Sequence, residues 1–517
     1  MRRRTARGSA YLVGAGPGDP GLITVRGREV LSRADLVIAD ALAEPDLLRL
    51  APPEARVVRA GKRGGRRGID QEAINRLMVS QARRGRVVVR LKGGDPSLFG
   101  RGGEEAEALA RARVPFEIIP GVTAALGAAA STGIPLTHRR YASSVVLATG
   151  HLDRDKETGA IPWEALARAD TLVVYMGMKR LPGTVADLLR AGRRPGTPAA
   201  LVRWATRPDQ RVVTGTLRTI CEQARRAGIG PPGLLLVGGV IRLRRRLDWF
   251  GRRPLHGRTV VVTRAREQAG AFADLLNEAG ARVLFAPAIR IVAPRSWKPL
   301  DGALRRIGTY RFVIFTSVNG VERFFQRLRD RRLDVRLLAG REIVAIGPAT
   351  AAAIERRGLR VRAVPEEFRA EGLVRILGRR RLRGEGVLIP RAEVARDLLL
   401  RELTARGAVV DVVSVYRTLP SREGIGEVTA ALRDGRLDLL TFTSSSTVTH
   451  FVRKLGPALR RRLRRVPVAA IGPITADTAR RAGFKVAIMP RDYTIPALAR
   501  AIERRLKSFP SGTPRGS

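Results

Sequence analysis

Cysteine is nearly absent. Cys221 is the one thiol in 517 residues, which excludes an intrachain disulfide and any Cys-based metal cluster. Histidine is almost as scarce: His138, His151, His256 and His450 lie far apart with no HxH or HxxxH spacing, so no metal site is expected. Aromatic residues make up 5% of the chain, and no basic tract is interleaved with them, which argues against nucleic acid as a partner. No apolar run reaches 18 residues, and the Ala-rich stretch 121–136 reads as small-residue core, so no membrane association is expected. Residues 1–7 are basic but lead straight into a strand without the apolar core of a signal peptide. A soluble protein of the reducing cytoplasm is the expectation.

What is abundant is arginine. Lys and Arg outnumber Asp and Glu by 96 to 47, a formal charge of +49, and only eight of the 96 are Lys. Such a surplus suits nucleic acid, a membrane surface or an acidic small molecule. It equally suits a plain compositional bias, because the arginines are spread over exposed helix positions such as Arg76, Arg83, Arg84, Arg480 and Arg481. The length predicts two to four compact units, and 44% hydrophobic content with alternating strand and helix patterns predicts α/β architecture.

From residue 258 onward the chain is written twice. Thr263-Arg264-Ala265 recurs as Pro390-Arg391-Ala392, Phe315-Thr316-Ser317 as Phe442-Thr443-Ser444, and Ala345-Ile346-Gly347-Pro348 as Ala470-Ile471-Gly472-Pro473, at offsets of 127, 127 and 125 residues. Each block is a short apolar strand that ends in Thr, Ser, Gly or Arg and opens a helix. Ligands of open α/β sheets bind outside the carboxyl ends of strands. Two facing lobes of this kind would line a cleft with hydroxyls and backbone N–H groups, suited to a large acidic ligand. The Arg-rich segment 242–257 separates this duplication from the first half, placing a boundary near residue 252. The tail 508–517, rich in Ser, Pro and Gly, is expected to be disordered.

In the first half, strands predicted at 10–13, 36–39, 87–91 and 116–119 are followed by a second set at 144–148, 171–175, 199–203 and 234–237. Three strand exits are glycine-rich: Gly14-Ala15-Gly16-Pro17-Gly18-Asp19-Pro20, Lys92-Gly93-Gly94-Asp95-Pro96 and Pro120-Gly121-Val122-Thr123-Ala124. The first fails the dinucleotide GxGxxG pattern, since Asp19 stands where the third glycine belongs, and its prolines remove N–H groups. On residue chemistry alone, tight structural turns and a ligand gripped by backbone are both open readings.

These motifs in this order, with Tyr175-Met176-Gly177, resemble the tetrapyrrole methyltransferase family, whose members use S-adenosyl-L-methionine and release S-adenosyl-L-homocysteine. Narrower motifs at 99–105, 133–139 and 206–211 resemble its uroporphyrinogen-III C-methyltransferases, which make precorrin-2. The resemblance implies a two-lobed domain over 1–251 (lobes about 8–137 and 142–250) that pairs as a homodimer. It implies cofactor contacts at Pro17, Gly93, Gly94, Asp95, Leu98, Thr123, Ala124, Met176 and Ala205, a proton acceptor at Asp40 and a proton donor at Lys62. By residue type alone, Asp40 is equally a capping aspartate and Lys62 a solvated charge. Position 205 is Ala where relatives often carry Gly, a change that a backbone contact survives. The dehydrogenase and ferrochelatase module of some relatives is missing from the pattern, so later steps towards sirohaem are not expected.

The duplicated half resembles uroporphyrinogen-III synthase over 252–507. That implies two flavodoxin-like lobes on a two-stranded hinge, one built from 256–293 with 417–507 and the other from 297–414. The implied reaction closes linear hydroxymethylbilane into a ring, with loss of water and inversion of the last pyrrole. Candidate substrate contacts are Arg264, Thr316, Ser317, Asn319, Thr350, Arg391, Ser444, Ser445 and Thr475. Their hydroxyls are also natural helix caps, and the repeated arginines equally fit a structural role. Tyr416 is a candidate proton donor to the departing hydroxyl, or else a hinge-packing ring. Three rival readings are a nucleic-acid-modifying methyltransferase, a methyltransferase acting on another corrinoid, and a non-catalytic ligand-binding second half. The Arg207-Pro208-Asp209-Gln210-Arg211 motif weighs against the first.

Overall fold

A computed structural model describes residues 8–61, 69–150, 161–264, 266–365, 382–394 and 398–507. The chain forms two compact units. One holds the chain up to Thr259 together with Asp274–Arg282 and the part from Ile502; the other holds Val260–Ala273 and Val283–Ala501.

The first unit contains two five-stranded sheets. The first is wholly parallel, in the order Arg56–Arg59, Leu36–Ala39, Val87–Lys92, Ser9–Gly14, Phe116–Ile119. Its inner strands are largely apolar and buried, as strands covered on both faces should be, apart from the buried Arg90 and Lys92 at the end of Val87–Lys92. The covering helices follow the 3.6-residue period. Gln71–Arg83 is capped by Asp70, whose side chain accepts from Ala73 N at 2.6 Å, and it buries Ile74, Met78 and Ala82. The second sheet runs Val145–Thr149, Thr171–Tyr175, Gly233–Gly238, Pro198–Arg203, Arg211–Thr216. Only its first pair is parallel; Gly233–Gly238 runs antiparallel to both its neighbours, and Pro198–Arg203 and Arg211–Thr216 form a hairpin around the 204–210 motif. The strand at 211–216 lies beyond those expected from sequence.

The second unit repeats one plan. One sheet runs Arg282–Phe285, Thr259–Val262, Leu439–Phe442, Val468–Ala470, Val486–Ile488. The other runs Ile289–Val292, Val409–Pro420, Gly386–Ala392, Tyr310–Phe315, Glu342–Ala345. Strands 310–315 and 439–442 each lead into a helix capped by serine with nearly identical backbone. Ser317 has φ −164° and ψ 153°, and Ser444 has φ −164° and ψ 156°. Gly347 and Gly472 likewise open helices whose first residue is proline, the position that tolerates it. The sequence repeat is therefore a repeat of strand exits and helix starts.

The strand Val409–Pro420 spans twelve residues and carries Tyr416 within it. Its far end pairs antiparallel with Ile289–Val292, and its near end pairs parallel with Gly386–Ala392. Tyr416 stands at the changeover, where the register slips between Arg391 and Ala392. A slip of this kind bends the strand and re-aims side chains, which an alternating pattern does not reveal. Lys62, Ala265 and the 508–517 tail lie outside the described residues.

Candidate active sites

The three glycine-rich strand exits of the first unit meet. Gly16 and Gly94 exchange backbone bonds, N to O at 3.2 and 2.8 Å. A Cβ at Gly14 would come within 2.5 Å of Gly121 Cα, and one at Gly93 within 2.9 Å of Leu42 Cβ, so only glycine permits this approach. Asp95 fastens the assembly: one carboxylate oxygen accepts from Gly121 N at 2.8 Å, the other from Ser97 N at 2.7 Å. Above these loops lies a cavity of about 410 Å³. All nine residues expected to touch the cofactor line it: Pro17, Gly93, Gly94, Asp95, Leu98, Thr123, Ala124, Met176 and Ala205.

Its far wall comes from the second sheet. Tyr175 ends a buried strand; its hydroxyl accepts from Ala125 N at 2.9 Å and lies 2.7 Å from the Thr123 hydroxyl, and burial pushes its pKa up. Phe99 packs against Tyr175 in a tilted pair, with ring centroids 4.9 Å apart. Met176, Trp204 and Thr206 hold positive φ of 56°, 54° and 67°, a strained setting for side-chain-bearing residues that clusters at functional sites. Trp204 and the Pro231-Pro232 pair also line the cavity and were not foreseen. The proline doublet before a glycine was the available signal. The two lobes of the unit are tied by Arg207, which stacks on Trp204 at 4.4 Å and pairs with Glu44 at 3.1 Å. Burial raises the Glu44 carboxyl above its ordinary range, and Arg207 opposes that shift.

Asp40 follows the 36–39 strand and is half-buried. Its Oδ1 accepts from Ala41 N at 2.8 Å, and its own N–H bonds Leu91 O. It does not line the cavity, but Leu42, two residues on, does.

In the second unit the structure gathers part of the expected set. The Ser317 hydroxyl accepts from Gly320 N at 3.0 Å and lies 3.2 Å from the Tyr416 hydroxyl. Tyr416 is 8% exposed, its ring packed in the core with Phe315 and Val415. Gly320 sits close to Pro390 O, so Arg391 follows at the same sheet edge. Thr316 and Asn319 flank this point, half-buried. On the other sheet the Ser444 hydroxyl instead bonds within its own helix start, to Thr447 N at 3.2 Å and the Ser446 hydroxyl at 3.1 Å. Ser445 is half-buried and Arg264 exposed, while Thr350 and Thr475 are buried within their helices. Thr263 and Thr441 bond the carbonyls of each other's strands, Thr263 to Thr441 O at 2.7 Å and Thr441 to Val261 O at 3.0 Å. Among the described residues no cluster of His, Cys, Asp or Glu could hold a metal ion, and no helix is long and apolar enough to cross a membrane.

A backbone cradle under two α/β lobes, followed by a duplicated two-sheet unit with hydroxyls at its strand exits, defines a two-module α/β enzyme. The model of the tetrapyrrole (corrin/porphyrin) methylases matches residues 10–221, and that of uroporphyrinogen-III synthase HemD matches residues 270–500. The chain is similar to the porphyrin biosynthesis protein HemD of Ruminiclostridium josui, 36% identical over 482 residues, 93% of this chain and 95% of the relative. It is 38% identical over 358 residues to the uroporphyrinogen-III C-methyltransferase of Bacillus subtilis (strain 168), covering 69% of this chain and 73% of that one. Among solved structures, the uroporphyrin-III C-methyltransferase of Thermus thermophilus complexed with S-adenosylhomocysteine is 41% identical, covering 46% of this chain and 100% of its own, with a TM-score of 0.40. The chain belongs to the tetrapyrrole methylases through its first half and to the uroporphyrinogen-III synthases through its second, a fusion for tetrapyrrole biosynthesis.

Proposed function

We propose that this chain performs two consecutive steps. The second half cyclises hydroxymethylbilane to uroporphyrinogen III, and the first half methylates that product twice to precorrin-2, using S-adenosyl-L-methionine. The observation that carries the reading is the 410 Å³ cavity, walled by the nine expected residues and floored by the glycine-rich strand exits, where a Cβ at Gly93 would clash and Gly94 holds φ +69°. Those residues fit the cofactor: backbone faces it at the glycines, and Leu98 and Met176 offer apolar surface. When bound, S-adenosylmethionine supplies the electrophilic methyl group. Methylating a pyrrole carbon leaves a cation that must lose a proton; Asp40, beside the cavity-lining Leu42, takes it, and Lys62 is the proposed proton donor. The two halves are taken to divide near residue 252.

In the second half, Ser317, Thr316, Asn319 and Arg391 at one strand edge, and Arg264, Ser444 and Ser445 at the other, hold the substrate's carboxylates, with Thr350 and Thr475 behind them. Tyr416 protonates the departing hydroxyl. The first half is proposed to form a homodimer. A shallow apolar depression with Leu126, Leu247 and Trp249 at 55, 47 and 58% exposure is the candidate contact surface for that pairing. A dimeric mass by light scattering is the expected result. The proposed setting is the cytoplasm, with no nucleic acid or membrane partner.

The test is a coupled assay on hydroxymethylbilane, run with and without S-adenosylmethionine. Uroporphyrinogen III is expected without it and precorrin-2 with it. Gly94→Val addresses the cavity directly. Gly94 has φ +69°, and its Cβ would sit 3.7 Å from Ala124 N and 3.8 Å from Thr123 Cα, across the cavity wall. A β-branched residue there is strained and fills the approach. Affinity for S-adenosylhomocysteine should fall about tenfold or more; wild-type affinity in a folded variant would remove the cofactor from this cavity.

A further inference from the structure

Where the Val87–Lys92 strand passes into the loop that walls the cavity, three charged side chains are buried together. Lys92 is 2% exposed, Arg90 4% and Glu105 not at all. Lys92 Nζ donates to one Glu105 oxygen at 2.9 Å, and Arg90 Nε donates to the other at 2.9 Å. Lys92 immediately precedes Gly93. Glu105 lies in the first turn of the Gly102–Arg111 helix, which ends the loop. The Lys92–Glu105 bond therefore closes the loop 93–101 at its base.

That loop is held in an uncommon shape. Phe99 and Arg101 have φ of 52° and 59°, a conformation that persists only where the surroundings enforce it. A Cβ at Gly100 would meet Lys92 Cε at 3.3 Å, so the lysine stem lies directly beneath the loop. The cluster also sets two cations against the one carboxylate they bond, with Asp40 close enough to favour the Lys92 charge. Buried ions are poor sources of stability, so the geometry of the Lys92–Glu105 bond is the feature to explain.

We propose that Lys92 is a positioning residue for methyl transfer: by tying both ends of the loop together through Glu105, it holds Gly93–Asp95 and Phe99 in the cavity wall. The inference rests on the reading of that cavity as the cofactor site.

The experiment uses the full chain and compares Lys92→Met with Arg90→Met. Each leaves one cation paired with Glu105, so the two are alike in charge and in burial. Lys92→Met should raise the Kd for S-adenosylhomocysteine about tenfold. It should raise the KM for S-adenosylmethionine more than it lowers kcat, and leave the synthase reaction unaltered. Arg90→Met keeps the loop tied and should retain wild-type affinity. Equal effects of the two variants, or wild-type affinity in folded Lys92→Met, would overturn the proposal. If Lys92→Met does not give a cooperative thermal transition, Lys92→Gln takes its place with the same two outcomes. Gly94→Val separates the levels. If it too retains affinity, the cavity reading fails; if it loses affinity while Lys92→Met does not, only the role of Lys92 fails.

Discussion

Replacing Tyr416 by Phe separates a catalytic phenol from a packing ring, because the two roles differ greatly in size. The ring is 8% exposed among Phe315, Val413 and Val415, and phenylalanine keeps all of that packing. What is lost is one hydroxyl, 3.2 Å from Ser317 Oγ, at the long end for an O–H···O bond. Such a bond contributes about 0.5 kcal/mol net, which lowers Tm by roughly 1–2 °C in a unit of this size. A general acid contributes about 10²–10⁴ in rate, roughly 3–5 kcal/mol, several times more than the stability effect. The assay reads isomers. Without synthase action hydroxymethylbilane closes spontaneously to the type I ring, so loss of the phenol should shift product from type III to type I while total ring formation continues. Product is oxidised to uroporphyrin and its isomers are separated by chromatography, with Tm measured on the same preparation. Type III product formed at the wild-type rate would refute the proton-donor role and leave only packing.

Asp40→Asn should bind S-adenosylhomocysteine as the wild type does and methylate at least about tenfold more slowly; an unaltered rate in single-turnover assays excludes Asp40 from the proton transfer. Ser317→Ala and Ser444→Ala each remove an N-cap and should cost a similar ~1 kcal/mol by denaturant unfolding. Each also removes a proposed carboxylate contact, but Ser317→Ala should lower the type III fraction further, since Ser317 alone of the two bonds Tyr416; equal type III fractions in the two variants would refute that coupling. Burial lowers the Lys454 ammonium from its ordinary range to about 8, with Glu423 pulling the other way, while its Nζ bonds Pro287 O at 2.7 Å. The unfolded chain therefore holds that proton more tightly, so stability should rise as pH climbs from about 8 towards 10; Lys454→Met should flatten that part of the Tm–pH curve, and an unchanged slope would show that Lys454 does not titrate there.

The glycine cradle was legible because its chemistry is local. A strand followed by glycines announces close backbone approach, and the three exits meet as such motifs suggest. The strands at 36–39, 116–119 and 171–175 also fall where the sequence puts them. What escaped was set by pairing across space. Nothing in the 144–237 segment states that its sheet is mostly antiparallel, because a buried strand reads the same in either direction. The bulge beside Tyr416 inserts one residue on one strand only, so an alternating pattern extrapolates past it. Lys92 and Glu105 stand 13 residues apart on either side of a loop, and each alone reads as a surface charge.

The duplication in the second unit bears directly on how one enzyme treats the two ends of a linear tetrapyrrole differently. The two helix starts superpose in backbone to within a few degrees at Ser317 and Ser444, so a twofold frame alone would offer both ends the same groups. The departure from symmetry lies in the connecting strands. Counting back the repeat distance of 127 residues from Tyr416 reaches Ile289, which has no proton to give. Ser317 therefore faces a phenol, whereas Ser444 is satisfied by Thr447 and Ser446 of its own helix. Loss of water is needed at one end of the substrate only, and under the proposed roles Tyr416 would be a single acid set in an otherwise repeated array of carboxylate-binding groups, which would supply that distinction. The same reasoning accounts for the strand that continues past Tyr416 to Pro420. Pairing with both Gly386–Ala392 and Ile289–Val292 pins the residue on each side, so the phenol is fixed by backbone at a point where the repeat is broken.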